Sequence, residues 1–391
     1  MNKKDIITII IATLVIAALI AGCIFLTNRK RMPRETQNKA DCYCYPDFNN
    51  SLYFSEQGKI YKYDTENSQF DILIESEKIE SYVNYYNHFS VDQVYKGKLF
   101  YHYYSDYVRV MNFAYYNLLN GENRLINSVK CNLRGEVVIY DGYVYCVYCA
   151  DNEEGYEVLR ISRFNIESGD EQILYESRSR DEFLVAVIDG KIITRQEYDN
   201  LFSYNIVNMK KSLLWNAKNN GYDGFFFFSN IGNKLYFLAP TDEYTVTSDP
   251  ENFFAFSALI PDHYLLYLDI NTGEFRRVLD IPISTYCLTE NAIYYSPMAV
   301  RSVNGKKPYN TPSDEISYTH ETLFSCDLDG QNICEVYTNK DTYYYNNYKI
   351  LNGKVFCQLG LFNHSNQSFD YFDYVEIDLS TKEIDIIDIP K

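Results

Sequence analysis

Along most of this chain apolar and polar residues alternate with a period of two, the pattern of a pleated strand that turns alternate side chains to opposite faces. The alternation is cut into short runs, and the cuts recur. One half of the recurring unit is a turn followed by an aromatic-rich strand. It occurs as Asn50-Ser51-Leu52-Tyr53-Phe54, Gly97-Lys98-Leu99-Phe100-Tyr101, Gly142-Tyr143-Val144-Tyr145-Cys146, Gly190-Lys191-Ile192-Ile193, Asn233-Lys234-Leu235-Tyr236-Phe237, Asn291-Ala292-Ile293-Tyr294-Tyr295 and Gly353-Lys354-Val355-Phe356-Cys357. The other half is a strand ending in Asp or Asn, a short turn and a further strand, as in Ile60–Asp64, Ile161–Asn165, Leu266–Asp269, Leu323–Asp327 and Val375–Asp378. A unit of roughly 45–60 residues carrying about four strands has the size of one propeller blade. The expected fold class is all-β: a seven-bladed β-propeller.

The blades are expected at roughly 42–80, 84–130, 134–178, 182–219, 222–282, 284–340 and 343–390. Each is read as strands a to d. The innermost a strands are the apolar runs before each turn, among them Val137–Tyr140, Phe183–Ile188, Phe225–Phe228 and Tyr286–Thr289. Strands c and d form a hairpin whose turn chemistry is visible in Ser168-Gly169-Asp170, Asn271-Thr272-Gly273 and Asp329-Gly330-Gln331. Asp41–Asn50 is read as the first a strand and Glu383–Ile389 as the last d strand, so closure is expected to rest on packing of blade one against blade seven. Asn117 and Asn205 stand where Asp is typical, which leaves the hairpin boundaries of repeats two and four open.

The N-terminus breaks the pattern. Ile6–Leu26 is an uncharged apolar run of 21 residues, long enough to span a bilayer as a helix. The expected organisation is a signal anchor over 1–27, a polar stalk over 28–41 and the propeller over 42–391. Three orientations compete. Lys3 and Lys4 before the run form the short basic region of an export signal, which puts the propeller outside the cell. Ile20-Ala21-Gly22-Cys23 is a partial match to a lipobox, although Ile24-Phe25-Leu26 continues the apolar run past the Cys. Arg29, Lys30, Arg31 and Arg34 after the run favour an inverted anchor. The expectation carried forward is a single-pass cell-membrane protein with an extracellular propeller.

Composition supports the strands. Tyr contributes 40 residues and Phe 24, and aromatic side chains pack well on a pleated surface. The formal charge of -17 argues against nucleic acid as a partner, since a phosphate backbone needs a basic stripe. The ten cysteines do not have zinc spacing. Cys146 and Cys149 are a C-x-x-C inside a strand pattern, where residues three apart face opposite ways. Cys326 and Cys334 flank a tight turn and are read as cross-strand neighbours, either a disulfide or two small buried apolar groups.

The repeated phrase resembles that of a bacterial family of membrane-tethered, Tyr-rich propellers of unknown function, distantly similar to TolB-like propellers. The resemblance is carried by Gly97–Tyr101, Asn233–Phe237, Tyr264–Gly273, Leu323–Gly330 and Gly353–Cys357 and covers nearly all of 42–391. It implies a fold and transfers no catalytic residues.

No chemical motif stands out. The five His lack metal-ligand spacing, and there is no G-x-S-x-G or phosphate-cradling glycine loop. The acidic turn Asp327–Asn332 lacks the distal Glu of a calcium loop. No catalytic residue, metal or cofactor is called. Two long b–c connections, Pro240–Asp262 and Pro297–Glu321, are the candidates for function. The first carries Tyr244, Phe253, Phe254 and Phe256; the second carries Arg301, Lys306, Lys307 and Tyr309. In a propeller all b–c loops emerge on one face, so these residues are expected on one rim. Aromatic and basic groups together suit a protein, peptide or glycan partner. The expected function is a binding or scaffolding module; the alternative is a lyase or glycosidase working in the propeller funnel.

Overall fold

The computed structural model describes residues 43–44, 51–56, 58–75, 89–105, 110–179, 181–247, 258–297, 301–302, 316–317, 322–339, 342–363 and 368–387. The anchor and stalk expected over 1–41 lie outside them. Among the described residues no helix is long and apolar enough to cross a membrane.

Among the described residues seven antiparallel blade sheets follow one another along the chain, each with four strands in sequence order, the third carrying a further short strand, and a separate two-stranded ribbon lies within blade six. The c–d hairpins are Lys59–Asp64 with Gln69–Glu75 in blade one and Val110–Asn117 with Asn123–Lys130 in blade two. The same pairing joins Glu157–Asn165 to Glu171–Ser177 and Asn200–Asn205 to Lys211–Asn216 in blades three and four. In blades five, six and seven it joins Ala258–Asp269 to Phe275–Arg277, Thr322–Cys326 to Cys334–Thr338, and Ser368–Asp378 to Ile384–Ile386. This is the expected seven-bladed propeller.

Both faces of each sheet are apolar, and each face is buried against a neighbour. Seven buried clusters result, one at each interface between consecutive blades. Cys146 packs on the blade-two side of blade three and Cys149 on the blade-four side, as strand alternation requires. The outer edge is handled locally. In blades one, two, three, four and six the c–d register slips by one residue just after Ile60, Phe113, Ile161, Leu201 and Leu323. A bulge at this point twists the edge strand away from pairing with another chain.

Every c–d turn is built on the Asp or Asn that ends strand c. The Oδ1 atoms of Asp64, Asn117, Asn165, Asn205, Asp269, Asp327 and Asp378 each accept the backbone N–H two residues on. Asn117 and Asn205 therefore do the work of Asp, because the turn needs an acceptor oxygen rather than a charge. Gly169 within one turn is held at φ +77°, and a Cβ there would sit 2.4 Å from the carbonyl oxygen of Ile126 in the preceding blade. The register near the blade-six turn corrects one expectation. Cys334 stands opposite Ser325 rather than Cys326, because the turn hydrogen bonds of Asp327 to Gln331 set the pairing. Cys326 is buried, Cys334 is exposed, and both thiols are free.

The Lys of the repeated phrase turns out to link blades. At the start of strand b it reaches the c–d turn of the next blade. Lys98 pairs with Glu167, Lys191 donates to the carbonyl of Ile270, and Lys234 pairs with Asp329. Lys354 of blade seven donates to the carbonyl of Thr65 in blade one at 3.0 Å. The last interface thus shares this device with the interfaces two–three, four–five and five–six. Two further bonds reinforce it: the Tyr63 hydroxyl donates to Glu376 at 3.0 Å, and that of Tyr374 to Glu56 at 3.0 Å. Glu376 is buried and also binds Lys354. Burial, together with the adjacent Glu376 carboxylate, pushes the Tyr63 hydroxyl up to about 12, so it remains a donor.

Two predictions follow from these bonds. Lys354→Met leaves the Glu376 carboxylate buried without its cation, whereas Lys98→Met releases a Glu167 that is 74% exposed. Urea unfolding should show a loss of roughly 2–4 kcal/mol for the first and under about 1 kcal/mol for the second. Equal losses would mean that closure is not distinguished by its buried charge. The second concerns acid. The Asn67 side chain and turn amides hold Asp64 below the usual carboxylate range, and the Thr272 and Asn271 amides do the same for Asp269. Ser380 and its neighbouring amides hold Asp378 at about 2. Because the folded values are depressed, this stabilisation is complete above the unfolded value of about 4 and is lost as pH falls through the folded values. Replacing all three by Asn keeps the acceptor and removes the titration. The melting temperature of that variant should fall less steeply than the parent's between pH 4 and pH 2.

Candidate functional site

Strand b runs away from the a–b turn in every blade, so all b–c connections leave the same face. On that face blade five departs most from its neighbours. Its strands b and c are Lys234–Thr247 and Ala258–Asp269, of 14 and 12 residues. They stay paired beyond the blade, with Tyr244 opposite Pro261 and Thr247 opposite Ala258, past a register shift between Pro240 and Tyr244. The first insert therefore begins as a projecting β-hairpin. In blade six, Arg301–Ser302 pairs with Ile316–Ser317 as a separate two-stranded ribbon. Tyr244 and Arg301 are placed by these strands. Phe253, Phe254, Phe256, Lys306, Lys307 and Tyr309 lie outside the described residues.

The base of the blade-five hairpin is fixed from two sides. His263 stands opposite Pro240, with its ring edge-on to Phe226 at 4.8 Å. Burial pushes His263 down from the ordinary imidazole range, so it is neutral at neutral pH. The Asp223 amide donates to the Pro240 carbonyl at 2.9 Å, which ties the hairpin to the entry of blade five. The next residue, Gly224, packs against the backbone of Tyr198 in the b–c turn of blade four: a Cβ on it would lie 3.1 Å from the Tyr198 oxygen.

Tyr198 leads to a group of residues that the repeat pattern did not single out. The Arg195 guanidinium lies 5.5 Å from the Tyr198 ring centroid and 4.6 Å from that of Phe183. Phe183 and Arg195 are directly opposite on strands a and b of blade four, so their side chains share a face. The Arg134 guanidinium approaches the same Phe183 ring at 5.6 Å. It arrives from blade three, whose inner strand is interrupted. Asn132–Leu133 and Val138–Tyr140 both pair with strand b, and the residues between them leave the sheet. This excursion is joined to the inner strand of blade four: Leu184 donates to the Arg134 carbonyl at 3.0 Å, and Glu136 donates to the Leu184 carbonyl at 3.1 Å. Gly135 is required at the crossing, since a Cβ would lie 2.2 Å from the Leu184 oxygen and φ is +85°. Phe183 is the second residue of the innermost strand, so the group sits at the channel mouth on the b–c face.

The neighbouring Glu182 belongs to the opposite face of this sheet. It is buried and accepts from Thr194, Tyr204 and Lys211, which satisfies it. A different pair lies in blade two, where His102 Nδ1 is 2.7 Å from Asp92 Oδ1 on adjacent inner strands. The acidic blade-six turn is occupied by its own bonds: Asp327 accepts from the amides of Asp329 and Gln331, and Asp329 pairs with Lys234.

No family model and no curated relative matches this sequence. Solved structures share its fold. An oligogalacturonate lyase in complex with manganese superposes with a TM-score of 0.51 at 10% identity, over 80% of this chain and 84% of that one. A prolyl endopeptidase superposes at 0.52 and 10% identity, over 89% of this chain and 50% of that one, so the present chain spans half its length. TolB from Acinetobacter baumannii superposes with a TM-score of 0.42 at 11% identity over 72% and 60% of the two chains. At these identities the likeness is one of fold: a β-propeller.

Proposed function

We propose that this chain is a binding module, anchored in the cell membrane by Ile6–Leu26 and displayed outside the cell, whose b–c face holds a protein, peptide or glycan partner. The observation that supports this reading is the paired extension of blade five, 14 and 12 residues long, beside the ribbon of blade six on the same face. A hairpin that stays hydrogen-bonded presents its side chains at lower entropic cost than an open loop. The seven turns on the other face are held by Asx and interblade bonds and offer no comparable projection. The alternative reading, a lyase or glycosidase working in the funnel, has the Asp92–His102 pair in its favour, where a carboxylate orients an imidazole as a general base requires.

The binding reading is tested on the full-length chain in detergent. Replacing Phe253, Phe254, Arg301 and Lys307 together by Ala should leave the melting temperature within a few degrees and weaken capture on a glycan and peptide array at least tenfold. Capture equal to the parent's would make the inserts mere surface decoration. The orientation is tested by protease treatment of intact cells. A fragment beginning between residues 28 and 41 should be released; cleavage only after lysis would mean an inverted anchor.

A further inference from the structure

We infer that Arg134 and Arg195 form an oxyanion-binding site for a carboxylate- or phosphate-bearing ligand, at the channel mouth where the inner-strand excursion of blade three meets blade four. The inference rests on the b–c face being the binding face, but it requires none of the insert residues. Three observations carry it.

The first is that both cations are uncompensated. Among the described residues neither guanidinium has a carboxylate partner or a side-chain hydrogen bond. Arg124 and Arg160, by contrast, pair with Glu167 and Glu176, and Arg163 donates to Gln172. The chain carries 53 acidic residues against 36 basic ones, so partners for two arginines were abundant in composition. Two like charges gathered round one ring repel each other unless an anion joins them.

The second is an unmet donor. Arg134 Nε is buried and has no hydrogen-bond partner. A buried donor left unpaired is costly, so this guanidinium is one whose charge and donors the fold itself leaves unbalanced. Both guanidinium groups lie near the Phe183 ring, at 5.6 and 4.6 Å from its centroid, so two cations converge on one aromatic side chain. A guanidinium presents a fork of N–H donors that matches a carboxylate or phosphate.

The third is that the groups are held in advance. Arg134 is positioned by the backbone bonds to Leu184 and by a crossing that admits only glycine at 135. Arg195 is positioned by its cross-strand place opposite Phe183. Tyr198 is exposed and lies over Arg195, so it offers an apolar wall to the body of a ligand whose anionic group is bound by the arginines. Little ordering is left to be done on binding.

The test is thermal unfolding and calorimetric titration of the full-length chain in detergent, at constant ionic strength balanced with chloride. The probes are inorganic phosphate and propane-1,2,3-tricarboxylate. A saturable rise in melting temperature is expected with at least one of them, and which probe binds tighter distinguishes a phosphate from a carboxylate source. Arg134→Gln and Arg195→Gln should each weaken that binding at least tenfold. Arg195→Lys keeps the charge and loses the fork, so it should weaken binding several-fold; it also carries the test if Arg134→Gln fails to fold. Arg276→Gln removes the same charge from an exposed site on blade five and should change binding less than twofold. The inference is overturned if neither probe gives a saturable shift, if chloride gives the same shift, or if Arg276→Gln weakens binding as much as the other variants. The four insert substitutions should leave oxyanion binding at the parent's strength. Loss of partner capture on the inserts and loss of oxyanion binding on the arginines are therefore separate results.

Discussion

The constraint on which this structure depends is that no blade can bury itself. Each sheet is apolar on both faces, as the inner positions Val144, Tyr145, Cys146, Val147, Tyr148 and Cys149 of blade three show by being buried without alternation. A single sheet of this kind would expose one face however it folded. The molecule resolves this by giving every face a neighbour, and that requires blade seven to meet blade one. Among the described residues closure is not made by a strand shared between the ends of the chain. It is made by an apolar cluster in which Leu52, Phe54, Tyr61 and Tyr63 meet Leu351 and Phe356, and by Glu376, Lys354 and Tyr63 at its polar edge. The closing interface, like the one between blades three and four with Glu182, buries a carboxylate, so its integrity depends on a charge pair as well as on apolar area.

The same constraint accounts for the use of Tyr. A blade interface needs a large flat side chain, and Phe would serve. Tyr adds a hydroxyl at the far end of the ring, where it can reach the next element. Tyr148 binds Glu171, Tyr204 binds Glu182, and Tyr63 binds Glu376. Tyr236 donates to the Leu328 carbonyl, and Tyr286 to the carbonyl of Tyr236. Burial raises the hydroxyls of Tyr63, Tyr148, Tyr204, Tyr236 and Tyr286, so all remain protonated donors at physiological pH. The composition that looked like simple strand propensity is also a set of polar fasteners within and between the layers.

What could be read from the sequence was local. The blade count, the Asx turns and the opposite facing of Cys146 and Cys149 each depend on residues within one hairpin, where period-two counting and turn chemistry apply. Counting failed where the path added a residue. The turn at Asp327 sets Ser325 against Cys334, and a slip past Leu323 follows, so two cysteines that seemed level are one place apart. The Lys staples were hidden differently. Lys98, Lys234 and Lys354 look like ordinary turn-flanking residues until the next blade brings its c–d turn alongside. Arg134 and Arg195 are 61 positions apart in number, and no spacing rule relates them. The one local signal was Arg134-Gly135 standing just before an apolar inner strand, a glycine in a place where turn chemistry alone did not demand one.

The two faces of the ring are built for different tasks. The face of the c–d turns is crowded with obligations: every turn has its Asx bond, four lysines tie neighbouring blades, and Gly169 and Gly330 press against the backbone of the preceding blade. Lengthening a loop there would break an interface. The b–c face carries few such ties, so loops on it can grow without cost to the ring, and blades five and six have grown them. That difference explains why the departures from the repeat, including the interrupted inner strand that brings Arg134 to Phe183, occur away from the stapled turns. A scaffold that fixes one face through interblade bonds leaves the other free to vary, and binding chemistry accumulates where variation is tolerated.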